Sequence, residues 1–176
     1  TTDVAIKYGD YIQVKDLTGD EAKDMVSING AFFVAVNKGD DTFLEMASIY
    51  PHEAGAEPVI AADADNDGDL DLCFFATLSG NFGWWPNDGA GHFGPLQLID
   101  RVYESYLYIL PMPFACADLD NDGRNDFILN TGVWAYVWLG TGGGQFAAPD
   151  TFLMDHLFLP YPVLADADLD GDLDVV

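Results

Sequence analysis

Aspartate recurs at every second position of one short segment, DADNDGDLD at residues 63–71. Carboxylates crowded in this way repel one another unless a cation lies among them. Oxygen ligands in a flexible loop suit Ca²⁺, which takes roughly six to eight of them, better than they suit Zn²⁺ or copper. Gly68, the sixth residue, permits a tight turn because glycine adopts positive φ without steric cost. The segment therefore predicts a calcium-binding loop.

The same spacing occurs twice more, as DLDNDGRND at 118–126 and as DADLDGDLD at 166–174. A cluster of solvated surface acids does not explain three copies with one spacing and one fixed glycine. The predicted ligands are side-chain oxygens of the first, third, fifth and ninth residues and the main-chain carbonyl of the seventh. The predicted metal-binding residues are Asp63, Asp65, Asp67, Asp69, Asp71, Asp118, Asp120, Asp122, Arg124, Asp126, Asp166, Asp168, Asp170, Asp172 and Asp174.

An EF-hand is the first alternative for such a loop. It requires an acidic ligand at the twelfth position and an amphipathic helix on each side. The twelfth position is Phe74 after the first of these loops and Leu129 after the second. The flanking segments, such as PVIAA before residue 63 and LCFFA after residue 71, are apolar runs of strand length. The loops are therefore predicted to join β-strands.

The strands that position the loops repeat together with them. Copies of the loop begin at Asp16, Asp63, Asp118 and Asp166, and a period of about 50 residues is typical of a propeller array. The first copy, DLTGDEAKD at 16–24, has threonine at the third position and glutamate at the sixth. Whether this first copy binds calcium is left open.

Each unit has the same order of predicted strands. One strand enters the loop, a second leaves it, and a third is aromatic. A turn rich in Gly, Asn and Asp follows, which supplies the positive φ that a hairpin needs. Phe43, Phe93 or Phe146 comes after this turn and is predicted to open a fourth strand. Four antiparallel strands in each unit predict a β-propeller blade.

The predicted fold class is all-β, a β-propeller of four-stranded antiparallel blades with calcium-binding loops. The whole chain, residues 1–176, is predicted to be one partial propeller of about three and a half blades, a fragment of a larger ring, because propellers close with about 4–8 blades. Other blades of the same propeller, or another copy of the chain, would then complete the ring. The approximate repeats are 8–49, 58–99, 112–153 and the truncated 161–176.

The composition excludes some classes of partner. The chain has 30 Asp and Glu against 6 Lys and Arg, a formal net charge of −24. Nucleic acids require a basic surface and membrane spans require a long apolar run, so the sequence predicts no nucleic-acid partner and no membrane insertion. Calcium loops of this kind suit an extracellular or cell-surface location. For Cys73 and Cys116, buried free thiols and a disulfide both stay open.

These segments carry a family resemblance. The run AADADNDGDLDLCFFATLSGNFGWWPNDGAGHFGPLQLI resembles the FG-GAP or VCBS repeat, the blade of integrin α-chain propellers and of many secreted microbial proteins. The run DLTGDEAKDMVSINGAFFVAVNKGDDTF resembles the blades of a fungal propeller lectin of the same superfamily. The resemblance implies Ca²⁺ in the loop between the first and second strands. It implies no single function, since such blades serve adhesion receptors, lectins, toxin components and polysaccharide lyases.

A ligand-binding face is predicted at the end of the blades opposite the calcium loops. The connections between the fourth strand of one unit and the first strand of the next carry aromatic side chains, which could stack on a sugar ring or anchor a protein. The alternative is that these rings pack between blades. The predicted ligand-binding residues are Tyr50, His52, Tyr103, Tyr106 and His156.

Three classes of function are compatible with these patterns. The first is a non-enzymatic extracellular module for adhesion or for binding a glycan or protein ligand. The second is a structural repeat of a cell-surface or filament assembly. The third is a polysaccharide lyase built on a propeller. The three histidines do not form a recognisable catalytic constellation in the sequence, and the calcium loops account for most of the paired carboxylates. The first class is therefore favoured.

Overall fold

The computed structural model describes residues 11–28, 32–40, 42–49, 56–102, 114–154, 164–169, 171 and 173–175. The regular elements of this part of the chain are β-strands, and it contains no helix able to cross a membrane. The strands are β1 (Tyr11–Lys15), β2 (Asp24–Ile28), β3 (Phe32–Asn37), β4 (Phe43–Ile49), β5 (Ala56–Ala62), β6 (Asp71–Ala76), β7 (Asn81–Trp85), β8 (Gln97–Arg101), β9 (Phe114–Ala117), β10 (Asp126–Asn130), β11 (Trp134–Trp138), β12 (Gly140–Gly142), β13 (Gln145–Phe146), β14 (Asp150–Leu153), β15 (Leu164–Ala165) and β16 (Asp174–Val175).

Three four-stranded antiparallel sheets contain most of these strands. The first sheet contains β1 to β4 and the second contains β5 to β8, each in chain order. The third sheet has the order β9-β10-β11-β14. The strands β12 and β13 come between β11 and β14 in the sequence, but they form a separate small hairpin. A further antiparallel pair is formed by β15 and β16. The predicted fold class, an all-β protein of four-stranded antiparallel blades, is therefore confirmed.

The second sheet is covered on both faces, and β6 at its centre is buried along its whole length. Side chains of a strand point alternately to its two faces. Cys73 and Phe75 pack against the third sheet, whereas Leu72 and Phe74 pack against the first. The continuous apolar run of β6 follows from this position between two neighbouring blades.

Aromatic rings fill the interface between the second and third sheets. Phe82 on β7 is fully buried, and its ring centroid lies 4.9 Å from that of Trp138 and 5.1 Å from that of Phe127. Phe114 lies 5.4 Å from the same ring in an edge-on arrangement. Because all three partners belong to the third sheet, Phe82 joins the two blades.

The interface between the first and second sheets is also aromatic. The Trp85 ring stacks on Phe74 of its own sheet at 4.5 Å and meets the edge of Phe32 from the first sheet at 5.0 Å. Gln13 on β1 accepts a hydrogen bond from the Ala61 N–H of β5 at 2.8 Å. The first strands of neighbouring blades are therefore held side by side.

The beginning of the fourth strand was predicted wrongly in two units. Phe43 opens β4, but Phe93 forms only an isolated bridge before β8, and Phe146 lies in the β12–β13 hairpin before β14. Pro95 and Pro149 stand between these two phenylalanines and the fourth strands that follow. Proline has no N–H to donate to a ladder, so regular pairing begins only after it.

Cys73 and Cys116 are free thiols. Burial raises the pKa of both, that of Cys116 to about 12. Because the thiolate is the reactive form of cysteine, these two residues act as small apolar side chains of the core.

Candidate metal centre

The loop between β5 and β6 is closed by hydrogen bonds to its first aspartate. The Asp63 carboxylate accepts the N–H of Asp67 at 3.2 Å and that of Gly68 at 3.1 Å. Gly68 has φ 99° and Asn66 has φ 64°, so both lie in the left-handed region. The bonds curl the backbone around the Asp63 side chain, and glycine at the sixth position makes that curl sterically inexpensive.

Three carboxylates of this loop converge. One oxygen from each of Asp63, Asp65 and Asp71 lies within 4.8 Å of the others. A set made only of carboxylate oxygens suits a hard cation such as Ca²⁺, whose oxygen ligands lie about 2.3–2.6 Å from the ion. The donor chemistry therefore fits the cation that the sequence predicts, and these three residues would hold it.

The loop between β9 and β10 has the same construction. The Asp118 carboxylate accepts the N–H of Asp122 at 3.1 Å and that of Gly123 at 2.9 Å. Oxygens of Asp118, Asp120 and Asp126 lie within 4.8 Å of one another. The second predicted loop therefore forms a second acidic group equivalent to the first.

The fifth and seventh residues of the two loops lie outside these acidic groups. Asp67 accepts the N–H of Asp69 at 2.9 Å, and the Asp69 carboxylate lies against Gly89, where an added Cβ would come 2.6 Å from its oxygens. In the other loop, Arg124 at the seventh position donates through Nη1 to Asp122 at 2.5 Å. Arg124 therefore places a positive charge beside the acidic group of the loop at 118–126, whereas the equivalent residue of the loop at 63–71 is the acidic Asp69.

The ninth aspartate has a role that the sequence reasoning missed. The buried Asp71 accepts the Ala64 N–H at 2.9 Å through one oxygen and the Asn87 N–H at 2.8 Å through the other. Asn87 is the second residue after β7, so this carboxylate ties the loop to the turn after the third strand. The same pair of bonds recurs at Asp126, from Leu119 and Gly140, at 2.8 and 2.7 Å.

The degenerate loop at 16–24 keeps this connection. The Asp24 carboxylate accepts the N–H groups of Leu17 and Asn37, each at 2.8 Å. In all three units the partner of this aspartate lies at or just after the end of the third strand, 13, 16 or 14 positions later, and this variable separation gave no fixed signal in the sequence. The ninth aspartate is therefore a structural residue of every described blade as well as a candidate ligand.

The loop at 16–24 is closed without a converging acidic group. Asp16 accepts the N–H groups of Gly19 and Glu21, each at 2.8 Å, and that of Thr18 at 3.3 Å. Burial acts to raise the pKa of Asp16, but these backbone hydrogen bonds outweigh it and hold the pKa below its usual value. Glu21, with φ 69°, takes the conformation that glycine has elsewhere. Among the described residues, three acids converge at 63–71 and at 118–126 and not at 16–24.

The third predicted loop is described in part. Asp166 accepts the Gly171 N–H at 3.2 Å, which matches the bond from the sixth residue to the first in the other loops. Asp168 is exposed. Asp170, Asp172 and the side chain of Asp174 lie outside the described residues. The assignment of this loop as a calcium site stays a prediction.

Burial and mutual repulsion disfavour the ionised form of three of the converging carboxylates, those of Asp65, Asp71 and Asp126. Burial raises the pKa of Asp71 to about 7, and the charges of Asp65 and Asp67 add to the shift. Burial also raises the pKa of Asp65 and of Asp126, each with a further contribution from neighbouring aspartates. A bound divalent cation would remove this penalty, because it favours the ionised form of every ligand.

In metal-free protein, stability is expected to rise when the pH falls from about 8 to about 5. The folded-state pKa of Asp71, about 7, lies above the unfolded value near 4. A group with a raised folded pKa stabilises the fold at low pH, and this contribution disappears as the pH rises through the folded value. Melting temperatures of dialysed, metal-free protein at several pH values test this. Saturating Ca²⁺ should reverse the slope, and a flat metal-free profile would refute the assignment of Asp71.

The five residues of the predicted ligand-binding face lie outside the described part of the chain, so their assignment stays a prediction. They are Tyr50, His52, Tyr103, Tyr106 and His156. The blade end from which their connections start is described, however. There the Val102 N–H donates to the Gly80 carbonyl at 2.9 Å, and Arg101 Nε donates to the Ser79 carbonyl at 3.0 Å.

Comparisons with known proteins agree with this architecture. One solved structure matches this chain with a TM-score of 0.64 and 27% sequence identity, and the matched region covers 81% of this chain and 38% of the other. It is that of an Agrocybe aegerita lectin, described as the structural basis of specific recognition of non-reducing terminal N-acetylglucosamine. The chain therefore spans well under half the length of that lectin.

Sequence comparisons identify the family. Curated proteins give no sequence match. The FG-GAP-like repeat matches residues 16–74 and 118–176, which is more than half of the sequence. The chain belongs to the FG-GAP-like repeat family and has its β-propeller fold.

Proposed function

We propose that this chain is part of a calcium-stabilised, extracellular FG-GAP propeller that binds a glycan and carries out no catalysis. The observation that carries the glycan proposal is the likeness, over 81% of the chain, to a lectin described as recognising terminal N-acetylglucosamine. The observation that carries the calcium proposal is the pair of converging carboxylate groups at 63–71 and 118–126.

Calcium in this proposal has a structural role. The first ion would be held by Asp63, Asp65 and Asp71, and the second by the equivalent Asp118, Asp120 and Asp126. Bound Ca²⁺ supplies positive charge that offsets the repulsion within each group. Asp71 and Asp126 also accept hydrogen bonds from Asn87 and Gly140, just after the third strand of their sheets. An ion bound by either aspartate would therefore stabilise both its own loop and the contact of that loop with the end of the third strand. An extracellular location is part of this proposal, because calcium loops of this kind suit a setting in which calcium is abundant.

The glycan site is proposed at the end of the blades opposite the acidic loops. The connection that carries Tyr103 and Tyr106 begins directly after Val102, which is bonded to the turn between the second and third strands. Tyrosine rings give a flat apolar face for a sugar and a hydroxyl that hydrogen-bonds to it. The acidic groups lie at the other end, so calcium and glycan would not compete for the same residues.

Binding to glycans with terminal N-acetylglucosamine is the expected result for the intact protein. A glycan array would identify the class, and calorimetry with the free sugar would measure affinity. Tyr103→Ala and Tyr106→Ala should each weaken binding about tenfold or more and leave the melting temperature almost unchanged, since a residue that stacks on the ligand acts on binding. His92→Ala is the control, because His92 is an exposed ring at the acidic end.

Two outcomes would contradict this proposal. The first is an absence of binding to every glycan on the array. The second is a large loss of stability in both tyrosine variants with unchanged affinity, which would assign these rings to packing between blades.

A further inference from the structure

One residue joins the two acidic loops directly. Asn125, the eighth residue of the loop at 118–126, donates through Nδ2 to the main-chain carbonyl of Asp63 at 2.7 Å. Its backbone N–H donates to Oδ1 of Asn66 at 3.0 Å. Both acceptors belong to the loop at 63–71, so a single residue of the loop at 118–126 makes two hydrogen bonds to the neighbouring loop.

Both ends of this bridge lie beside residues of the acidic groups. Asp63 itself contributes a carboxylate to the first group, and Asp126, which follows Asn125 in the chain, contributes one to the second. Peptide units are planar, so fixing a carbonyl or an N–H fixes the orientation of the whole unit. The hydrogen bond at the Asp63 carbonyl therefore fixes the peptide unit that begins at the Asp63 Cα, and the one at the Asn125 N–H fixes the unit that ends one residue before Asp126.

The amide side chain that makes the bridge is found at the eighth position of the loop at 118–126 and not of the other loops. The eighth residue is Leu70 in the loop at 63–71 and Leu173 in the loop at 166–174, and neither side chain can donate a hydrogen bond. Asn66 is held at φ 64°, where its short side chain reaches the N–H of the neighbouring loop. The eighth residue of the loop at 16–24 is Lys23, so it is the amide side chain, and not polarity alone, that distinguishes the loop at 118–126 at this position.

We propose that Asn125 is a positioning residue that couples the two calcium sites, so that an ion in either loop raises the affinity of the other. This inference rests on the proposed calcium binding. The first ion orders its own loop and, through Asn125, part of the neighbouring loop. The second ion then binds a loop that is already partly ordered, so its binding loses less conformational entropy, which gives positive cooperativity. Linkage makes the effect equal in both directions, and coupling of this type amounts to roughly fivefold or more in affinity.

A thermodynamic cycle with site-specific readouts tests the coupling. The amide N–H groups of Gly68 and Gly123 donate to the first aspartate of their loops, so their NMR resonances report the occupancy of each site separately. Asp65→Ala disables the first site with little damage to the fold, because the Asp67 N–H that Asp65 accepts at 3.2 Å is also accepted by Asp63 at 3.2 Å. Calcium is then titrated while the Gly123 resonance is followed in wild-type and Asn125→Ala backgrounds.

In the wild-type background, Asp65→Ala is expected to raise the calcium midpoint of Gly123 by roughly fivefold or more. In the Asn125→Ala background, the same substitution should change that midpoint by less than about twofold, since the path between the sites is removed. Asn66→Gly should repeat this result from the other side of the bridge, because glycine keeps the positive φ and removes the acceptor. Asn121→Gly is the matched control, since Asn121 has φ 59° at the equivalent position of the other loop.

The outcomes separate the two proposals. Equal shifts in the wild-type and Asn125→Ala backgrounds, or no shift in the wild type, would overturn the coupling while calcium binding stands. Gly68 and Gly123 resonances that do not respond to calcium at all would overturn calcium binding itself. If the role of Asn125 were merely structural, Asn125→Ala would lower stability, but Asp65→Ala would shift the Gly123 midpoint by the same factor in both backgrounds.

Discussion

Removal of calcium is expected to lower the melting temperature of this protein substantially. In the loops at 63–71 and 118–126 three carboxylates converge within 4.8 Å, and burial disfavours the ionised form of Asp71 and Asp126. An ion that binds the folded loop and not the unfolded chain stabilises the fold by about 2.7 kcal/mol at a roughly hundredfold excess over its Kd. Two sites would contribute about 5 kcal/mol, which approaches the whole stability of a typical domain. Calorimetry with Ca²⁺ and with excess chelator measures the difference.

Substitutions in two loops provide the matched comparison for this experiment. With Ca²⁺ present, Asp65→Ala should lower the melting temperature, whereas Asp20→Ala should have little effect because the loop at 16–24 has no converging group among the described residues. In chelator, the difference between the two variants should disappear. Limited proteolysis should cut first in or beside residues 63–71 and 118–126 once calcium is removed. Unchanged melting and proteolysis in chelator would exclude calcium as a stabilising element.

Phe82→Ala is expected to cost about 3–5 kcal/mol of unfolding free energy, the range for removing a fully buried phenylalanine. The Phe82 ring is 0% exposed and meets Trp138 and Phe127 across the interface between the second and third sheets. The interior around Phe82 is close-packed by rings from the second and third sheets, so it collapses only partly into the space left by the ring.

Urea denaturation of the calcium-loaded protein measures the cost of Phe82→Ala. Leu98→Ala on the neighbouring strand β8 is the control, because Leu98 is 59% exposed and its truncation should cost less than about 0.5 kcal/mol. Equal effects of the two variants would mean that the second and third sheets do not pack on each other through Phe82.

The parts of this structure that depend on local sequence could be predicted. Alternating aspartates with glycine at the sixth position describe a loop that closes on its first residue, as Asp63 does with Gly68 and Asp118 with Gly123. Apolar runs of strand length on both sides of each loop, followed by an aromatic run, were sufficient to predict four-stranded antiparallel sheets. These patterns act over a few residues, so they do not depend on how the blades pack.

Contacts between distant segments could not be predicted in the same way. The hydrogen bond from Asn125 to Asp63 joins residues 62 positions apart, and its existence depends on the packing of one blade against the next. The second role of Asp71, as an acceptor for the turn after β7, depends on the length of that turn. The wrong start of two fourth strands has a local cause, since Pro95 and Pro149 lack the N–H that a ladder needs and so delay the regular pairing.

The hydrogen bonds at the acidic end describe one continuous line across the blades. Asn87 Nδ2 donates to the carbonyl of Leu17 in the loop at 16–24 at 2.7 Å and to that of Leu70 in the loop at 63–71 at 3.0 Å. Asn125 then joins the loop at 63–71 to the loop at 118–126. Neighbouring blades are therefore joined by asparagine side chains at the loops as well as by aromatic rings in the core.

Direct counting of bound calcium tests the central claim of this account. Equilibrium dialysis against Ca²⁺, followed by elemental analysis, gives the number of ions held by each molecule of the wild type and of two variants. Asp65→Ala and Asp120→Ala should each remove about one ion, and the double variant about two, since each substitution takes one ligand from a separate three-carboxylate group. The same calcium content in the wild type and the double variant, or no bound calcium in the wild type, would contradict the claim.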